Sequence, residues 1–326
     1  MLKISTAPHF QTNKDTKGIM LDVVIAMLPA ALVAVLFFGF PALVIILTST
    51  IGCVLIEYMA NRYLFKRENS IKDLSAIVTG MLLAFNLPSS MPVWMILIGA
   101  FMAIVVAKLC YGGLGKNIFN PALVGRVFLF ISFPVQMTNW PKPNFMHFWN
   151  IDAQTSATTL GIIKHIDAQT SATKHVVELP DYTQMFLGNV GGCIGEVSVL
   201  ALLLGLAYLL YRKIISWHIP VIYIGTFFII SFILWITTHS IQYDPLTNLL
   251  SGGLMLGAIF MATDYATSPM TIKGKVIFAI GCGLLTAIIR FYSAYPEGVS
   301  FAILIMNALV PLIDKYVQTK FYGQRR

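Results

Sequence analysis

Charged residues are scarce in this sequence. Asp, Glu, Lys and Arg make up 11% of its 326 residues, whereas hydrophobic residues make up 57%. A soluble domain carries about a quarter charged residues, so this composition, with a mean hydropathy of +0.77, predicts an all-α polytopic membrane protein. The net charge of +8 comes from residues in short gaps between apolar runs. Charges placed there are topology signals, and nucleic-acid binding is not expected.

Cysteine and histidine are also few, and neither forms a metal-binding motif. The four cysteines, at 53, 110, 193 and 282, are scattered with no Cys-x-x-Cys pair, and the six histidines have no ligand spacing. No metal site is therefore expected, and any iron–sulfur cluster in the system would come from partner proteins. A P-loop, a dinucleotide-binding glycine fingerprint and a nucleophile–base motif are missing as well. The chain does not resemble a self-contained nucleotide-using enzyme.

Ten apolar segments are candidate membrane spans. With a cytoplasmic N-terminus, 17 of the 22 Lys and Arg residues fall in cytoplasmic gaps, as the positive-inside rule requires. Both termini are then cytoplasmic, and the long segment after the fifth span is extracytoplasmic. No cleavable signal peptide is evident, so the first run is expected to remain as a span. The ten segments are 20–38, 41–60, 74–87, 93–110, 121–133, 194–211, 219–236, 249–262, 276–289 and 299–313.

Several segments are short for a crossing, which takes about 20 residues. The short ones are the third and fifth of each set of five, and short segments at matching positions of two halves indicate an inverted repeat. A weak similarity between residues 80–92 and 257–269 agrees with this interpretation. We predict two inverted five-helix repeats with broken or short helices. The resulting regions are a cytoplasmic arm (1–19), the first repeat (20–133), an extracytoplasmic loop (134–193), the second repeat (194–313) and a cytoplasmic tail (314–326).

The segment YGGLGKNIFNPAL, residues 111–123, combines three glycines with two asparagines and a proline. The glycines permit tight turns, and Asn117 and Asn120 offer amide donors and acceptors next to Pro121 at a helix start. Free N–H groups at that start would suit an anionic or electron-rich partner. An ordinary cytoplasmic turn capped by Asn120 explains the same residues, and the chemistry alone leaves both interpretations open.

Four ionisable residues lie within or at the edge of apolar runs: Glu57, Arg126, Glu196 and Asp264. An ionisable residue inside a membrane is a functional hypothesis by default, so all four are candidates for an ion pathway. Arg126 needs a counter-charge or a cavity, but the sequence does not identify the carboxylate. Asp264 could relay a cation, or it could cap a helix.

The octapeptide IDAQTSAT occurs twice in the predicted extracytoplasmic loop, at residues 151–158 and 166–173. Small neighbours, including Ser156, leave the final threonine of the first copy sterically open. On chemistry alone, a hydrophilic loop with a tandem duplication is the favoured explanation of the repeat.

Nearly the whole chain resembles the D subunit of the Rnf complex, a membrane electron-transfer complex that couples ferredoxin and NAD to ion transport. It is also similar to the B subunit of the sodium-translocating NADH:quinone oxidoreductase. The segments that carry the resemblance are MLDVVIAMLPA, GGLGKNIFNPALVG, FLGNVGGCIGE, LSGGLMLGAIFMATD and YPEGVSFAILIMNALVPLID.

In that family a threonine that ends a D-x-x-[S/T]-x-A-T motif carries FMN through a phosphoester. The resemblance implies Thr158 as this residue and Thr173 as the second choice, because the family usually continues A-T-P-L and only the first copy keeps the leucine, at Leu160. A flavin transferase is expected to attach the FMN. The resemblance also implies a non-covalent riboflavin, for which Asn117 and Asn120 are possible partners.

The sequence therefore predicts a redox subunit of an ion-translocating oxidoreductase in the bacterial cytoplasmic membrane. It would pass electrons between flavin and iron–sulfur subunits of the same complex, coupled to Na⁺ or H⁺ transport, without catalysing a complete turnover alone. A transporter or channel with the same repeat but no cofactor is one alternative. The B subunit of the quinone reductase is the other alternative. The short N-terminal arm, with only 19 residues before the first span, favours the Rnf-type protein.

Overall fold

The structure is a computed structural model that describes residues 15–66, 70–141, 143, 158–169, 180–188, 190–196, 198–293, 295 and 297–317. Within 159–169 the side chains are described only to residue 164. The described residues are helical apart from turns and loops. The α-helices, in chain order, are α1 Thr16–Phe38, α2 Phe40–Met59, α3 Ser75–Phe85, α4 Val93–Phe101, α5 Pro121–Ser132, α6 Pro134–Met137, α7 Thr159–Gln169, α8 Tyr182–Leu187, α9 Val199–Tyr211, α10 His218–Thr238, α11 Pro245–Leu250, α12 Leu254–Leu256, α13 Ile272–Tyr292 and α14 Val299–Tyr316.

Three of these helices continue as π-helical turns. The turns are Ala60–Leu64 after α2, Met102–Leu109 after α4 and Gly257–Met261 after α12. π-Helical turns inside longer helices are frequent at functional sites. The last two lie beside the polar residues described below.

Five of the described helices are long and apolar enough to cross a membrane: α1, α2 with its π-helical turn, α10, α13 and α14. Four more apolar helices, Ser75–Phe85, Val93–Leu109, Pro121–Ser132 and Val199–Tyr211, have between 10 and 17 residues. Large apolar side chains such as Leu32, which is 65% exposed, and Leu47 point away from the bundle. This is expected of a multi-pass membrane protein, whose outward surface meets lipid.

The predicted short segments are short in the structure, with one exception. The third segment has 11 helical residues, the fifth has 12, and the eighth is divided between α11 and α12. The tenth is an uninterrupted helix of 18 residues. This helix is longer than the predicted segment 299–313, because it continues through Asp314 and Lys315, where the apolar run in the sequence has ended.

Glycines allow the closest helix contacts in the bundle. A Cβ on Gly80 of α3 would lie 2.6 Å from Thr50 Cα of α2, and the Ser49 hydroxyl donates to the Gly80 carbonyl at 2.7 Å. A Cβ on Gly205 of α9 would lie 2.5 Å from the Ala26 carbonyl oxygen of α1. Small residues at such contacts let helix backbones approach closely.

Replacing Gly80 by alanine is expected to destabilise the protein, because the added methyl group would overlap the backbone of α2. Overpacking of this kind costs about 1–3 kcal/mol. The midpoint of thermal unfolding in detergent should fall. Gly225→Ala in α10 is the matched control, because nothing lies within 4 Å of the added Cβ and alanine favours the helix by about 1 kcal/mol. Equal midpoints for the two variants would contradict the packing described here.

Candidate functional site

Thr158 immediately precedes α7, in the segment between α6 and α8. Its Oγ1 atom accepts a hydrogen bond from the Gly161 backbone N–H at 3.1 Å, and its carbonyl accepts from Ile162 N–H at 2.9 Å. This is the usual geometry of a threonine N-cap. Thr158 itself is half-buried, whereas Leu160 and Ile163 are buried and hold α7 against the bundle. The hydroxyl is therefore fixed in position rather than displayed on a free loop.

Two cavities meet at Thr158. The first, which we call the polar cavity, is bordered mainly by small and polar residues: Thr158, Thr159, Gly191, Gly192, Glu196, Ser251, Gly252 and Glu297. The second, which we call the aromatic cavity, contains three aromatic side chains beside polar ones: Arg126, Phe130, Thr138, Trp140, Thr158, Glu297, Ser300 and Phe301. Thr158 and Glu297 border both cavities, so a group attached to the threonine could occupy either.

The buried residue Arg126 joins several elements at this end of the bundle. Its Nη1 atom donates to Asn86 Oδ1 at 2.8 Å, and its Nη2 atom forms an ion pair with Glu297. Glu196 Oε1 lies 3.6 Å from the same Nη2 atom. The sequence predicted Arg126 and Glu196 as separate pathway residues, and the structure brings them together. It also supplies the carboxylate that the sequence could not identify, Glu297.

The same cluster contains a group of possible metal ligands. Ligand atoms of Cys193, Glu196 and Glu297 lie within 4.8 Å of one another. The Arg126 guanidinium contacts all three side chains, with its Nη2 atom 3.7 Å from Cys193 Sγ. Its positive charge would repel a cation placed among them. The cluster is better described as an arginine site than as a metal site.

A second buried ion pair lies at the other end of the bundle. Lys108 Nζ is 2.7 Å from Glu57 Oε2 and also donates to Ser75 Oγ at 2.7 Å. Ser70 donates to the other carboxylate oxygen of Glu57. Both members of the ion pair are at most 2% exposed. The predicted pathway residue Glu57 is thus paired with Lys108, which is one of the 17 Lys and Arg residues counted in the cytoplasmic gaps.

Asn117 and Asn120 border a cavity at this same end, which we call the asparagine cavity. Its polar border residues are Ser75, Thr79, Lys108, Asn117, Asn120, Thr263 and Asp264. Asn120 Oδ1 caps α5 by accepting from Ala122 N–H at 3.1 Å, and Asn117 Nδ2 donates to the Phe119 carbonyl at 3.1 Å. The helix cap predicted as one alternative for Asn120 is therefore present, and the residue also borders the cavity.

Asp264 lies in the turn after the π-helix Gly257–Met261 and does not cap a helix. Its Oδ2 atom accepts from Thr267 Oγ1 at 3.2 Å. The cap that the sequence offered as an explanation for Asp264 is absent from the described helices, because α13 begins later and is capped by Thr271. Asp264 remains at the edge of the asparagine cavity.

Polar contacts connect the two ends of the bundle. Asn86, which accepts from Arg126, lies with its Nδ2 atom 3.8 Å from Met261 Sδ. Asn120 Nδ2 donates to the carbonyl of the same Met261 at 3.1 Å. Asn86 follows α3 and Met261 ends the broken eighth segment, so the two interrupted segments meet between the Thr158 end and the asparagine cavity. We call this set of contacts the asparagine–methionine contact.

The family model described as NQR2, RnfD, RnfE matches residues 3–323. The chain belongs to this family. It is 45% identical over 323 residues to the D subunit of the proton-translocating ferredoxin:NAD(+) oxidoreductase complex of Clostridium ljungdahlii, covering 99% of this chain and 96% of that protein. It is 44% identical over 324 residues to the D subunit of the Na(+)-translocating ferredoxin:NAD(+) oxidoreductase complex of Acetobacterium woodii, covering 99% and 95%.

A more distant relative is the D subunit of the ion-translocating oxidoreductase complex of Haemophilus ducreyi. It is 36% identical over 354 residues, which cover 100% of both chains. The relative named for protons and the relative named for sodium are almost equally similar to this chain. Overall similarity within the family therefore does not assign a coupling ion.

The structure sorts the predicted site residues into two groups. Arg126 and Glu196 lie at the Thr158 end, whereas Glu57, Asn117, Asn120 and Asp264 lie at the other end. Ser156 and Thr173 lie outside the described residues. Sequence reasoning missed Glu297 and Lys108. Glu297 could have been selected as a candidate, because it falls in YPEGVSF, one of the segments that carry the family resemblance. Its pairing with Arg126 is not visible from the sequence.

Removing the charge of either partner of the Lys108–Glu57 pair is expected to lower the thermal stability more than removing both charges. A single Glu57→Gln or Lys108→Met change leaves one buried charge without its partner, which costs about 3–5 kcal/mol. Thermal unfolding of the two single variants and the double variant in detergent measures the coupling. Purely additive losses in the double variant would show that the two charges do not stabilise each other.

Proposed function

We propose that this chain is the membrane subunit of an ion-translocating ferredoxin:NAD oxidoreductase complex and that it carries FMN covalently at Thr158. The observation that carries this proposal is the position of Thr158. Thr158 is the last residue of the first octapeptide. Its side-chain hydroxyl caps α7, and the residue borders two cavities. The relatives from ion-translocating oxidoreductase complexes support the electron-transport and ion-transport role, and other subunits of the complex are the expected partners.

The residues around Thr158 fit an FMN phosphoester. Its hydroxyl supplies the oxygen for the ester, and the adjoining aromatic cavity contains Phe130, Trp140 and Phe301. An aromatic border suits a flat ring, and aromatic side chains favour offset or edge-to-face arrangements. FMN would supply the one- and two-electron redox chemistry, while the protein sets its position and electrostatics.

The chain's own residues would position and shield this group. The N-cap hydrogen bond from Gly161 fixes the ester oxygen, and buried Leu160 keeps the start of α7 against the bundle. The guanidinium of Arg126 also borders the aromatic cavity, where its ion pair with Glu297 holds both side chains in place. A flavin transferase is the expected partner for attachment.

We also propose a non-covalent riboflavin in the asparagine cavity. The support is that Asn117 and Asn120 border one cavity together with Lys108, several other polar residues and a larger number of apolar side chains. Such a mixture of an apolar border and a few polar groups is typical of small-molecule sites. The two flavins would then lie toward opposite ends of the bundle.

The ten-span inverted repeat is part of the same proposal. In each half the second and fourth helices pack together, as α2 with α4 and α10 with α13. The first helices of the halves, α1 and α9, pack on each other, as do the fifth helices, α5 and α14. This correspondence supports two related halves. With both termini cytoplasmic, as the distribution of Lys and Arg favours, Thr158 lies on the extracytoplasmic side.

Asp264 is the residue of the four pathway candidates that best suits transient contact with a cation. Glu57, Glu196 and Arg126 each have an oppositely charged side chain within 4.0 Å. Asp264 has no ion pair within the part of the chain that the structure describes, and it borders the asparagine cavity. An acidic group at the edge of a membrane cavity is a usual element of an ion path.

Thr158→Val is expected to abolish covalent flavin, because valine keeps the shape of threonine but has no hydroxyl to form the ester. The chain, produced in cells with the flavin transferase, should lose its in-gel flavin fluorescence after denaturation, and peptide mass spectrometry should find no FMN. Thr173→Val is the matched control and should retain both signals. FMN on a peptide that contains Thr173 but not Thr158 would contradict the assignment. A wild-type chain without covalent flavin would favour the transporter alternative.

Replacing Asn117 and Asn120 together by alanine should lower the riboflavin that can be extracted by denaturation, while covalent FMN stays unchanged. Loss of the α5 cap alone costs about 1 kcal/mol. Asn120→Ser is therefore the control for stability, because serine keeps an N-cap oxygen but has no amide group. Full riboflavin content in the double variant would rule out the asparagine cavity as the site.

A further inference from the structure

A further cavity, which we call the lysine cavity, shares four border residues with the asparagine cavity. It is formed by the connection between α9 and α10, the turn after the π-helix Gly257–Met261 and the start of α13. Its volume is about 570 Å³, within the range of about 300–1,000 Å³ for small-molecule sites. Its polar border residues are Lys213, Ser216, Thr263, Tyr265, Ser268 and Lys275. Its border thus contains two lysines, whereas Asp264 borders the asparagine cavity instead.

The two lysines have no ion-pair partner among the residues that the structure describes. The basic members of the ion pairs there are Lys108, Arg126 and Arg212. Lys275 Nζ lies 3.5 Å from the neutral Ser216 Oγ, which is the outer limit of a hydrogen bond. Two positive charges therefore border the lysine cavity, and within the described part of the chain no carboxylate offsets them.

Lys213 occupies a backbone position at which glycine is the usual residue. It follows α9 with a φ of +55°. Its N–H donates to the Leu210 carbonyl at 3.0 Å, and the Ile214 N–H donates to the Leu209 carbonyl at 3.0 Å. These two hydrogen bonds form a Schellman motif, in which this position is most often glycine. A side chain is unfavourable in the left-handed conformation, so the turn by itself does not explain a lysine here.

The lysine cavity lies where two membrane-crossing helices begin. α10 and α13 are both long and apolar enough to cross a membrane, and they pack on each other. Their first turns contribute Ile219 and Lys275 to the border. Trp217 and Tyr265, also on the border, are 54% and 55% exposed. Tryptophan and tyrosine at the ends of membrane helices typically lie at the level of the lipid headgroups, so the cavity is placed at that level.

We propose that the lysine cavity binds the headgroup of an anionic phospholipid. Its phosphate would accept hydrogen bonds from the two lysines, and the apolar border residues Leu210 and Ile215 suit the adjoining start of an acyl chain. Basic pockets between membrane helices on the cytoplasmic side bind anionic headgroups, and the distribution of Lys and Arg favours this end as cytoplasmic. Riboflavin has no phosphate, so the neighbouring flavin site does not need these lysines. The inference is independent of both proposed flavins.

The test measures the affinity of the full chain for single lipids. The chain is purified in detergent, freed of native lipid and titrated with phosphatidylglycerol or, separately, with phosphatidylcholine, and native mass spectrometry gives both dissociation constants. A lysine beside an anionic lipid contributes about fivefold to binding, so the wild type should bind phosphatidylglycerol about 25-fold more tightly than phosphatidylcholine. Inorganic phosphate in large excess should not displace phosphatidylglycerol, because it lacks the acyl chains.

The variants separate the cavity from the general basic surface. Lys213→Gly and Lys275→Gln should each lower the preference for phosphatidylglycerol about fivefold, and the double variant should abolish it. Lys213→Gly is not expected to endanger the fold, because glycine favours this turn. Lys213→Arg should keep the preference. Lys273→Gln is the matched control and should also keep it, because Lys273 is an exposed lysine of α13 outside the cavity border. If the double variant does not fold, Lys213→Gly and Lys213→Arg carry the measurement.

An unchanged preference in the double variant, or in Lys213→Gly where that variant carries the measurement, would overturn the inference. An equal loss in Lys273→Gln and Lys275→Gln would overturn it too, because the preference would then belong to the whole basic surface. Displacement by inorganic phosphate would identify a free anion as the ligand instead of a lipid. A wild type without any preference would also contradict the inference and leave an acidic segment of another subunit as the alternative occupant. Loss of riboflavin from the double variant with the lipid preference intact would assign the cavity to the flavin site.

Discussion

The buried guanidinium of Arg126 is the interaction on which the Thr158 end of the bundle depends. It contacts Asn86 after α3, Glu196 before α9 and Glu297 before α14, and it lies itself within α5. Four separate parts of the chain therefore converge on one charge. A buried charge of this kind is tolerated only with partners close by, and loss of a partner costs about 3–5 kcal/mol. The borders of both cavities at Thr158 are set by this convergence.

The start of α5 shows what local sequence can predict. Asn120 followed by Pro121 is a helix-start pattern, and the helix begins at Pro121 with Asn120 as its cap, because capping depends only on residues within one turn. The short third, fifth and eighth segments were predictable for a similar reason, since the length of an apolar run bounds the helix. The tenth was not, because a helix can continue through charged residues that end an apolar run.

The partners of the charged residues could not be predicted in this way. Arg126 and Glu196 were recognisable as unusual from their positions in apolar runs, but Glu297 is 171 residues from Arg126 along the chain. Lys108 looked like a cytoplasmic topology signal, and only the fold shows that it lies against Glu57. The octapeptide identified Thr158 through its resemblance to a family motif. The packing of α7 against the bundle left no local pattern in the sequence.

The asparagine–methionine contact has a consequence for how the protein can respond to a change of charge. Asn86 contacts Arg126 on one side and Met261 on the other, and Met261 in turn accepts from Asn120. A sideways displacement of either segment at this crossing alters hydrogen bonds toward both ends of the bundle in the same movement. A change of charge at Arg126 and a change of charge at the asparagine cavity would then act on a single mechanical element. Such an arrangement transmits force between remote sites without requiring electrons or ions to travel along it.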